Sequence, residues 1–404
     1  MSGHGASRQA GGGHAPRGRR ASRVLAWAAA ALAAVLIIGA LGAYAAYRHV
    51  FGEIGRVRVS GLGHRPPRYG NSLNILVIGS DTRRGANRGF GAHISGQRSD
   101  TILVLHLSPG LRRAVVLSIP RDSVVPVLSC PAANGAPGQP AQQGQVEQVN
   151  ATFAAGGPGC LWKTVEQATG IRLDHFMELN FTGFERVIDD LGGVTICLPY
   201  AVDDPNSRLH LSAGPHHVMG RQALAYWRVR YIGMGSDLQR IARDQYLMAS
   251  LAQGVKHADL LGDPARLYRV VSDIAGSLTT DSGFSPGALI SLAQHVRALP
   301  LRAVRFVEVP VTPYPANPDW VRWAPRARTL FRAIAADRKL PRPHRHGHSS
   351  ATARPPPSRP TARSPSRQPG RSGPSHPASG YGGITAGANV CRDRGAFAGP
   401  LGGH

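Results

Sequence analysis

A continuous apolar run, NILVI at residues 74–78, stands directly before Gly79 in this chain. Short apolar runs that end at a glycine are typical of strands buried on both faces. Two similar runs follow, ILVLHL at residues 102–107 and AVVLSI at residues 114–119, with the turn residues Ser-Pro-Gly between them. The three runs predict three strands, with a hairpin turn between the second and the third.

Helical periodicity fills most of the remaining middle of the chain. Apolar residues at helical spacing indicate a long helix that starts near Asp237. Other helices are predicted at residues 161–169, 184–191, 264–279 and 285–298, and further strands at residues 194–198 and 304–309. This mixture predicts an α/β domain, with a mixed central sheet and helices on both sides of it.

The first part of the chain has the composition of a membrane anchor. Residues 24–47 contain no charged side chain, and at about 1.5 Å per residue such a helix exceeds the roughly 30 Å hydrocarbon core of a bilayer. The preceding residues are basic and contain no acid, which predicts a cytoplasmic N-terminus and an exported remainder. A cleaved signal peptide is the alternative, because AYA at residues 43–45 resembles a cleavage site.

The last part of the chain has a composition that disfavours folding. From about residue 340 it consists mainly of Pro, Arg, Ser, His and Gly, which cannot bury enough apolar surface. We therefore expect a disordered tail that is dispensable for chemistry. The predicted division is a cytoplasmic basic tail at residues 1–23, a transmembrane anchor at 24–47, a linker at 48–70, a folded domain at 71–340 and a disordered tail at 341–404.

The chain is strongly basic. Its 404 residues carry a formal net charge of +24, almost all of it from arginine, since lysine occurs only at residues 163, 256 and 339. Such a charge favours polyanionic partners, namely nucleic acid, anionic lipid or an acidic cell-wall polymer. A GC-rich genome is the alternative reason for the arginine content.

The four cysteines, at residues 130, 160, 197 and 391, include no CxxC pair, which disfavours a zinc knuckle or a thioredoxin-type motif. An exported domain permits disulfides. Because Cys130 and Cys160 flank one loop, we expect a bridge between them.

Three polar segments border the predicted central strands: GSD at residues 79–81, GQRSDT at 96–101 and PRDS at 120–123. If the strands are antiparallel neighbours, these segments converge on one edge of the sheet, where carboxylate and guanidinium clusters form ligand sites. Two carboxylates can hold Mg²⁺, which prefers oxygen ligands and shares itself with substrate phosphates. For any one segment, ordinary turn acids with surface arginine partners are the alternative.

A second basic cluster lies further along the chain. The segment YWRVRY has arginines at alternating positions, so on an extended backbone Arg228 and Arg230 would point the same way. The segment DLQRIARDQ follows, with Asp237 at a helix N-cap position and Arg240 on the same helical face. Four arginines within sixteen residues favour a pyrophosphate site, because charge-assisted bonds to the anion would satisfy them. A salt-bridged helix in solvent is the alternative.

The chain lacks the sequence motifs of several enzyme classes. There is no GxxxxGK[ST] loop, no HExxH helix, no GxSxG elbow and no EF-hand loop. The sequence therefore argues against P-loop nucleotide hydrolysis, zinc proteolysis, serine-elbow hydrolysis and EF-hand calcium binding.

At these residues the chain resembles the LytR-CpsA-Psr family of cell-envelope phosphotransferases, of actinobacterial type, over about residues 74–337. The order and spacing of many short blocks carry the resemblance, since no single block is specific. The blocks are NILVIGSD at residues 74–81, RSDT at 98–101, SIPRDS at 118–123, Asn150 before GG at 156–157, DDLGGV at 189–194, QALAY at 222–226, RVR at 228–230 and DLQRIARDQ at 237–245.

The resemblance implies a membrane-anchored α/β fold that holds a polyprenyl chain between sheet and helices, with the pyrophosphate at the pocket mouth. It implies Mg²⁺ or Mn²⁺ as cofactor, held by Asp81 and Asp100. The catalytic residues it implies are Asp81, Asp100, Arg98 and Arg121. The residues implied to bind the pyrophosphate are Arg98, Arg121, Arg228, Arg230 and Arg240, with Asp237 and Gln245 orienting them.

The implied function is transfer of a phosphorylated glycopolymer from a polyprenyl-pyrophosphate lipid carrier to peptidoglycan, outside the cell membrane. A peptidoglycan hydroxyl would attack the sugar-bearing phosphorus and polyprenyl phosphate would leave. The alternatives are a pyrophosphatase acting on the same lipid and a non-enzymatic, cationic, membrane-anchored binder of anionic wall polymer. No nucleic-acid partner is expected, because the predicted span and the lack of a helix-turn-helix argue against a transcription regulator.

Overall fold

The structure is a computed structural model, and it describes residues 18–80, 99–127, 130, 146–198, 201–205, 207–229, 237–258, 262–340, 383–388 and 391. The chain divides into two compact units, residues 1–53 and residues 54–404. The described part of the first unit is a helix, α1 (Gly18–Gly52), whose segment Leu25–Gly52 is long and apolar enough to cross a membrane. The helix extends past both ends of the predicted anchor, since no proline interrupts the flanking sequence.

The second unit contains the other described elements. Its helices are α2 (Val149–Thr169), α3 (Phe181–Asp190), α4 (Gly220–Arg228), α5 (Asp237–His257), α6 (Pro264–Ala275), α7 (Pro286–Ala298) and α8 (Ala327–Ala335). Its strands are β1 (Gly55–Val57), β2 (Leu73–Ser80), β3 (Ser99–Leu107), β4 (Ala114–Ile119), β5 (Val124–Pro126), β6 (Val146–Gln148), β7 (His175–Asn180), β8 (Val194–Leu198), β9 (Val202–Asp204), β10 (Leu209–Leu211), β11 (Gly214–Val218), β12 (Leu278–Asp281), β13 (Val304–Glu308), β14 (Val311–Tyr314), β15 (Asn317–Trp323) and β16 (Gly383–Thr385).

Eight strands form the central sheet in the order β1-β12-β7-β2-β3-β4-β13-β16. The three predicted strands β2, β3 and β4 are antiparallel neighbours at its centre. β7 pairs parallel with β2, and β13 pairs parallel with β4. The predicted α/β class with a mixed central sheet and surrounding helices is therefore confirmed.

The first face of the sheet is fully covered by helices. Leu76, Ile78, Val104 and Leu117 alternate with residues of the other face, and each is completely buried. They pack against apolar side chains of α2 and α8, including Phe331. This side supplies the main core of the domain.

The second face is covered less evenly. α7 covers one end of it, where Ile75 and Leu107 pack against Phe284 and Leu292. α5 covers the side of β13, where Ala249 contacts Phe306. A further apolar cluster, formed by α3, α4, β8 and part of α5, packs beside the sheet.

The segment predicted as a linker is part of the folded unit from Ile54 onward. β1 pairs with β12 at one border of the sheet. Arg65 Nη2 donates to the carboxylate of Glu166 at 2.6 Å, and the Arg65 guanidinium lies 5.5 Å from the Trp162 ring centre. Arg65 therefore attaches this segment to α2.

Two predicted helices have different ends. α2 starts at Val149, well before the apolar periodicity at residue 161, and it bends at Gly157, where φ is 66°. The segment predicted as a helix at residues 264–279 ends at Ala275, and β12 follows. Pairing with β1 and β7 sets the conformation of β12, and such distant contacts leave no local signal.

Two further features concern the cysteines and the end of the chain. A disulfide joins Cys130 and Cys160, with the Cα atoms 5.5 Å apart, so the expected bridge is confirmed. β16 pairs with β13 although it belongs to the segment predicted as a disordered tail. Of residues 341–404, only 383–388 and 391 are among the described residues.

Candidate active site at the edge of the central sheet

Four strands of the central sheet end at one edge, where the other four begin. β2, β4, β7 and β13 end there, and β3 begins there because it runs opposite to its neighbours. We call this the polar edge and define it by Ser80, Ser99, Ile119, Asn180 and Glu308. The antiparallel arrangement that the predicted convergence of polar segments required is therefore present.

A β-bulge marks the start of β3 at this edge. Gly79 pairs with Thr101 and Ser80 pairs with Ser99, so Asp100 is an extra residue in β3. Bulges often lie next to active sites, where they redirect the strand. Ser99 is fully buried, and its hydroxyl has no hydrogen-bond partner within the described part of the chain. A buried hydroxyl without a hydrogen-bond partner is available to bind a ligand through its oxygen.

Arg121 lies in the turn that follows β4, with a side chain that is 17% exposed. Its Nε donates to the Asp122 carboxylate at 3.4 Å. The Arg121 carbonyl accepts a hydrogen bond from Asn150 N–H, and the Ser123 carbonyl accepts one from Val149 N–H. These bonds attach the turn to the start of α2, so Arg121 stands beside the partly positive end of that helix.

Arg228 is the last residue of α4 and is exposed. Its guanidinium carbon lies 5.6 Å from the centre of the Phe181 ring. Phe181 is the first residue of α3, directly after the end of β7. The cation–π contact holds the guanidinium near the polar edge, where an anion from solvent can reach it.

The backbone at Arg228 differs from the sequence prediction. α4 continues through Tyr226 to Arg228, so this segment is helical rather than extended. Ala223 and Tyr226 are buried at helical spacing, and their packing sets the conformation. The expected alternation of Arg228 and Arg230 along an extended strand is therefore wrong for Arg228, and Arg230 lies outside the described residues.

α5 starts at Asp237, as predicted, and carries Arg240 in its first turn. Gln245 is buried one turn further on. Near the other end of the helix, Gln253 Nε2 donates to the Ala386 carbonyl at 2.8 Å, and Ala386 is bonded to the first residue of β13. Because β13 starts at the far edge of the sheet, α5 runs with its N-terminal end toward the polar edge.

Sequence reasoning assigned no separate role to Arg243. This side chain is 4% exposed, with its guanidinium 5.6 Å from the Tyr226 ring centre and its Nε 3.9 Å from the Asp244 carboxylate. Burial raises the pKa of Tyr226, and the Arg243 charge opposes this only in part. Arg243 therefore packs α5 against α4, the helices that carry Arg240 and Arg228. The sequence did contain an indication of this role, because Arg243 follows Arg240 by three residues and therefore lies on a neighbouring part of the same helix surface.

Three predicted site residues, Asp81, Arg98 and Arg230, lie outside the described residues. Asp81 directly follows Ser80 and Arg98 directly precedes Ser99, so both continue the polar edge in sequence. For Asp100, Asp237 and Arg240, the structure describes the backbone position in β3 or α5. The described members of the predicted set therefore come from β3, the turn after β4, α4 and α5.

Beside the polar edge, the second face of the sheet carries a strip of partly buried apolar side chains, which we call the apolar groove. It is formed by residues of the central strands that are only partly buried, although their neighbours on the first face are completely covered. These groove residues are Val77, Leu103, Leu105, Val116 and Met177. Val77, Leu105 and Met177 pack against the cluster of Phe284 and Leu292 but are not fully buried by it, so they keep some apolar surface exposed.

Both ends of the groove are defined by aromatic residues. At the polar edge, the Trp227 ring lies against the backbone of Gly79, where an added Cβ atom would be 3.7 Å from it. At the far end, a cavity of about 280 Å³ is lined by Leu73, Phe284 and Leu292 among others. The partly buried apolar residues therefore lie between the polar edge and this cavity, whose lining also includes polar side chains such as His175 and His295.

Comparison with known proteins identifies relatives of this chain and its fold. The LytR_cpsA_psr family model matches residues 55–328. The probable cell wall biosynthesis protein LcpB of Corynebacterium glutamicum is 35% identical over 230 residues, which are 55% of this chain and 52% of that protein. A Bacillus cereus protein, polyisoprenyl-teichoic acid–peptidoglycan teichoic acid transferase TagU, is 26% identical over 65% of this chain and 81% of its own length.

The chain spans about half the length of the Corynebacterium relatives that it matches. Solved structures share the fold. A LytR-Csp2A-Psr enzyme from Actinomyces oris has a TM-score of 0.51 at 22% identity, over 70% of this chain and 96% of that one. A Streptococcus agalactiae protein has a TM-score of 0.54 at 20% identity, over 66% and 89%. The matched residues contain every central strand except β16, and the chain belongs to the LytR_cpsA_psr family.

Proposed function

We propose that the chain transfers a phosphorylated glycopolymer from a polyprenyl-pyrophosphate carrier to peptidoglycan. The observation that supports this most directly is the continuity between the polar edge and the apolar groove. A polyprenyl pyrophosphate combines a long apolar chain with a compact polyanion, and the site offers a matching surface to each part. The relative TagU is named as a transferase of polyisoprenyl-linked teichoic acid to peptidoglycan, which supports the same substrate class.

The groove would bind the prenyl chain by the hydrophobic effect. Each buried methylene contributes about 0.8 kcal/mol, so even a few isoprene units along Val77, Leu105 and Met177 would give substantial affinity. Trp227 would contact the chain next to its pyrophosphate. This arrangement would explain why apolar residues at the centre of the sheet are only partly covered.

The arginines of the polar edge would hold the pyrophosphate. Arg121 and Arg228 reach the edge from opposite sides, from the turn after β4 and from the end of α4. Arg98, Arg230 and Arg240 would complete the set. A guanidinium fork matches phosphate oxygens, and several forks would neutralise the charge that develops on the bridging and leaving oxygens during transfer.

In the proposed reaction, the oxygen of a peptidoglycan hydroxyl attacks the phosphorus that carries the glycan. The bond from this phosphorus to the bridging oxygen breaks, and polyprenyl phosphate leaves with that oxygen. The proton of the hydroxyl passes to an aspartate or to an ordered water at the edge. The arginines act by orienting the phosphates in line with the attacking oxygen.

The residues at the edge fit Mg²⁺ or Mn²⁺. Asp81 and Asp100 would hold the ion, and the buried Ser99 hydroxyl beside Asp100 is a further oxygen of the required type. The ion would take its other ligands from substrate phosphates and water. Such an ion would supply positive charge to the phosphate oxygens.

We also propose a single-pass topology with the N-terminus in the cytoplasm and the catalytic unit outside. The apolar helix Leu25–Gly52 and the acid-free basic residues before it support this arrangement. A reporter enzyme that works only outside the cytoplasm, fused after residue 340, should be active. Activity from a reporter that works only inside would contradict the topology and with it the substrate.

The direct test uses the full chain in detergent micelles with a synthetic prenyl-pyrophosphate glycan, peptidoglycan and Mg²⁺. The expected product is peptidoglycan that carries the glycan phosphate, together with prenyl phosphate. Glycan phosphate released at the same rate with and without peptidoglycan would favour the pyrophosphatase. Binding without any turnover would favour the non-enzymatic binder.

A further inference from the structure

A segment near the end of the chain docks on the domain as a strap, which we define as residues 383–388 together with Cys391. β16 pairs antiparallel with β13 from Gly383 to Thr385 and covers what would otherwise be an open sheet edge. Ala386 is completely buried, and its N–H donates to the Val304 carbonyl. The strap is therefore held by backbone pairing and by burial.

α5 holds the strap from its other side. The Gln253 amide donates to the carbonyls of Ala386 and Ala388, at 2.8 and 3.1 Å. Gly383 has a φ of 152°, and a side-chain carbon there would collide with the Phe306 carbonyl. Glycine at this position is thus a requirement for docking.

The strap brings Cys391 close to the buried Cys197 cluster. Cys197 of β8 and Tyr246 of α5 form an apolar cluster, each about 95% buried or more. Ile384, Ala388 and Cys391 of the strap pack against this cluster. The two cysteines are far apart in sequence, and docking of the strap places them in the same apolar cluster.

We propose that Cys197 and Cys391 form a disulfide that closes the strap over α5. The two thiols lose two protons and two electrons as the S–S bond forms. The electrons pass to the disulfide of an extracytoplasmic thiol–disulfide oxidase, whose sulfurs take up two protons. The bridge between Cys130 and Cys160 shows that the same unit supports such chemistry.

The bridge would restrain the helix that carries part of the candidate site. Tyr246 follows Gln245 directly, and Arg243 lies one turn earlier on the same helix. A strap fixed at Cys197 and at β13 therefore limits movement of α5 away from the sheet. This consequence for the site rests on the proposed function, whereas the bridge itself does not.

The first test is disulfide mapping of the full chain, purified without reductant and digested after alkylation. A peptide pair that links Cys197 to Cys391 is expected beside the pair that links Cys130 to Cys160. Alkylated Cys197 and Cys391, or a link from either of them to another cysteine, would overturn the proposal. Activity plays no part in this measurement, so failure of the proposed function would leave its result unchanged.

The second test is a set of alanine variants. Cys391→Ala is expected to lower the melting temperature of the full chain by about 5 to 15 °C, because the bridge closes a very long loop. Cys197→Ala should do the same, and the double variant should melt close to the less stable single variant. If the melting-temperature losses of the two single variants add up in the double variant, the two cysteines act as independent packing sites, and the proposed bridge is wrong.

The third test separates docking of the strap from the chemistry of its cysteine. Gly383→Val leaves both cysteines in place but blocks pairing with β13, so the yield of the Cys197–Cys391 peptide should fall at least several-fold. Hydrogen exchange should increase in α5 and β13 for this variant and for Cys391→Ala, with α6 as the unaffected control. Full bridge yield and unchanged exchange in Gly383→Val would show that the strap does not position Cys391.

Discussion

Replacement of Arg228 by alanine tests the candidate site with little risk to the fold. Arg228 is exposed, and its contacts include the cation–π contact with Phe181 at 5.6 Å and an electrostatic interaction with Glu185. Such contacts at exposed sites contribute about 0.5–1 kcal/mol, which for a domain of this size corresponds to a melting-temperature loss of a few degrees at most. The folded state of the variant should therefore be preserved.

The effect on binding should be much larger. One hydrogen bond from a guanidinium to a phosphate contributes about 1.5–3 kcal/mol, so Arg228→Ala should weaken prenyl-pyrophosphate binding about tenfold to a hundredfold. Arg228→Lys should lose less binding affinity than Arg228→Ala, because lysine keeps the positive charge although it lacks the two-pronged guanidinium group. Isothermal titration of geranylgeranyl pyrophosphate into the full chain in detergent micelles measures both variants.

Arg112→Ala is the matched control for charge. Arg112 is exposed and lies between β3 and β4 at the edge opposite the polar edge. Its neighbour Arg113 is unsuitable, although it lies in the same turn, because its guanidinium bonds Asp337 at 2.8 Å. If Arg112→Ala weakens binding as much as Arg228→Ala, or if 1 M salt removes the difference between wild type and Arg228→Ala, bulk charge is responsible. The cationic-binder hypothesis would then replace the proposed site.

Three further predictions concern stability. Glu166→Gln should cost about 3–5 kcal/mol in denaturant unfolding, since this 1% exposed carboxylate bonds Arg65 and the Leu173 N–H; a cost below about 1 kcal/mol would refute the argument. Burial lowers the pKa of His106, which bonds Asp337, so the unfolded chain binds more protons and stability should fall as the pH drops below about 6.5. Unfolding titrations at pH 7.5 and 5.5 should show a smaller difference for His106→Gln than for wild type. Removal of the Cys130–Cys160 bridge, with its sequence separation of 30, should cost about 3.5 kcal/mol in the same assay, and full retention of stability would show that the bridge is not formed.

Several parts of the site could be predicted because their signals are local. β2, β3 and β4 carry apolar residues on both faces, completely buried on one and mostly partly buried on the other, and such strands appear in sequence as uninterrupted apolar runs. Asp237 at the start of α5 was predicted from capping chemistry, and the structure starts the helix there. The polar segments at the ends of these strands then follow from antiparallel order.

Other parts depend on contacts between distant residues. β12 was hidden in an apparently helical segment, because pairing with β1 and β7 outweighs local propensity. The helical end of α4 was missed since alternating arginines also fit an extended strand. The bulge at Asp100 depends on the register between β2 and β3, which the sequence of either strand alone does not specify.

The amino-acid sequence alone was enough to predict the class of the fold, the apolar N-terminal helix, the central strands and the residue types available to bind a phosphate. These follow from burial, periodicity and charge, which each residue expresses within a short window. The tertiary structure decided which side chains meet. It placed Arg121 and Arg228 on opposite sides of one edge, left Val77 and Met177 partly uncovered beside them, and brought the strap back to β13. The physical reason is that coverage of a sheet face and pairing of an edge strand depend on elements far apart in the chain, whose docking no local pattern encodes.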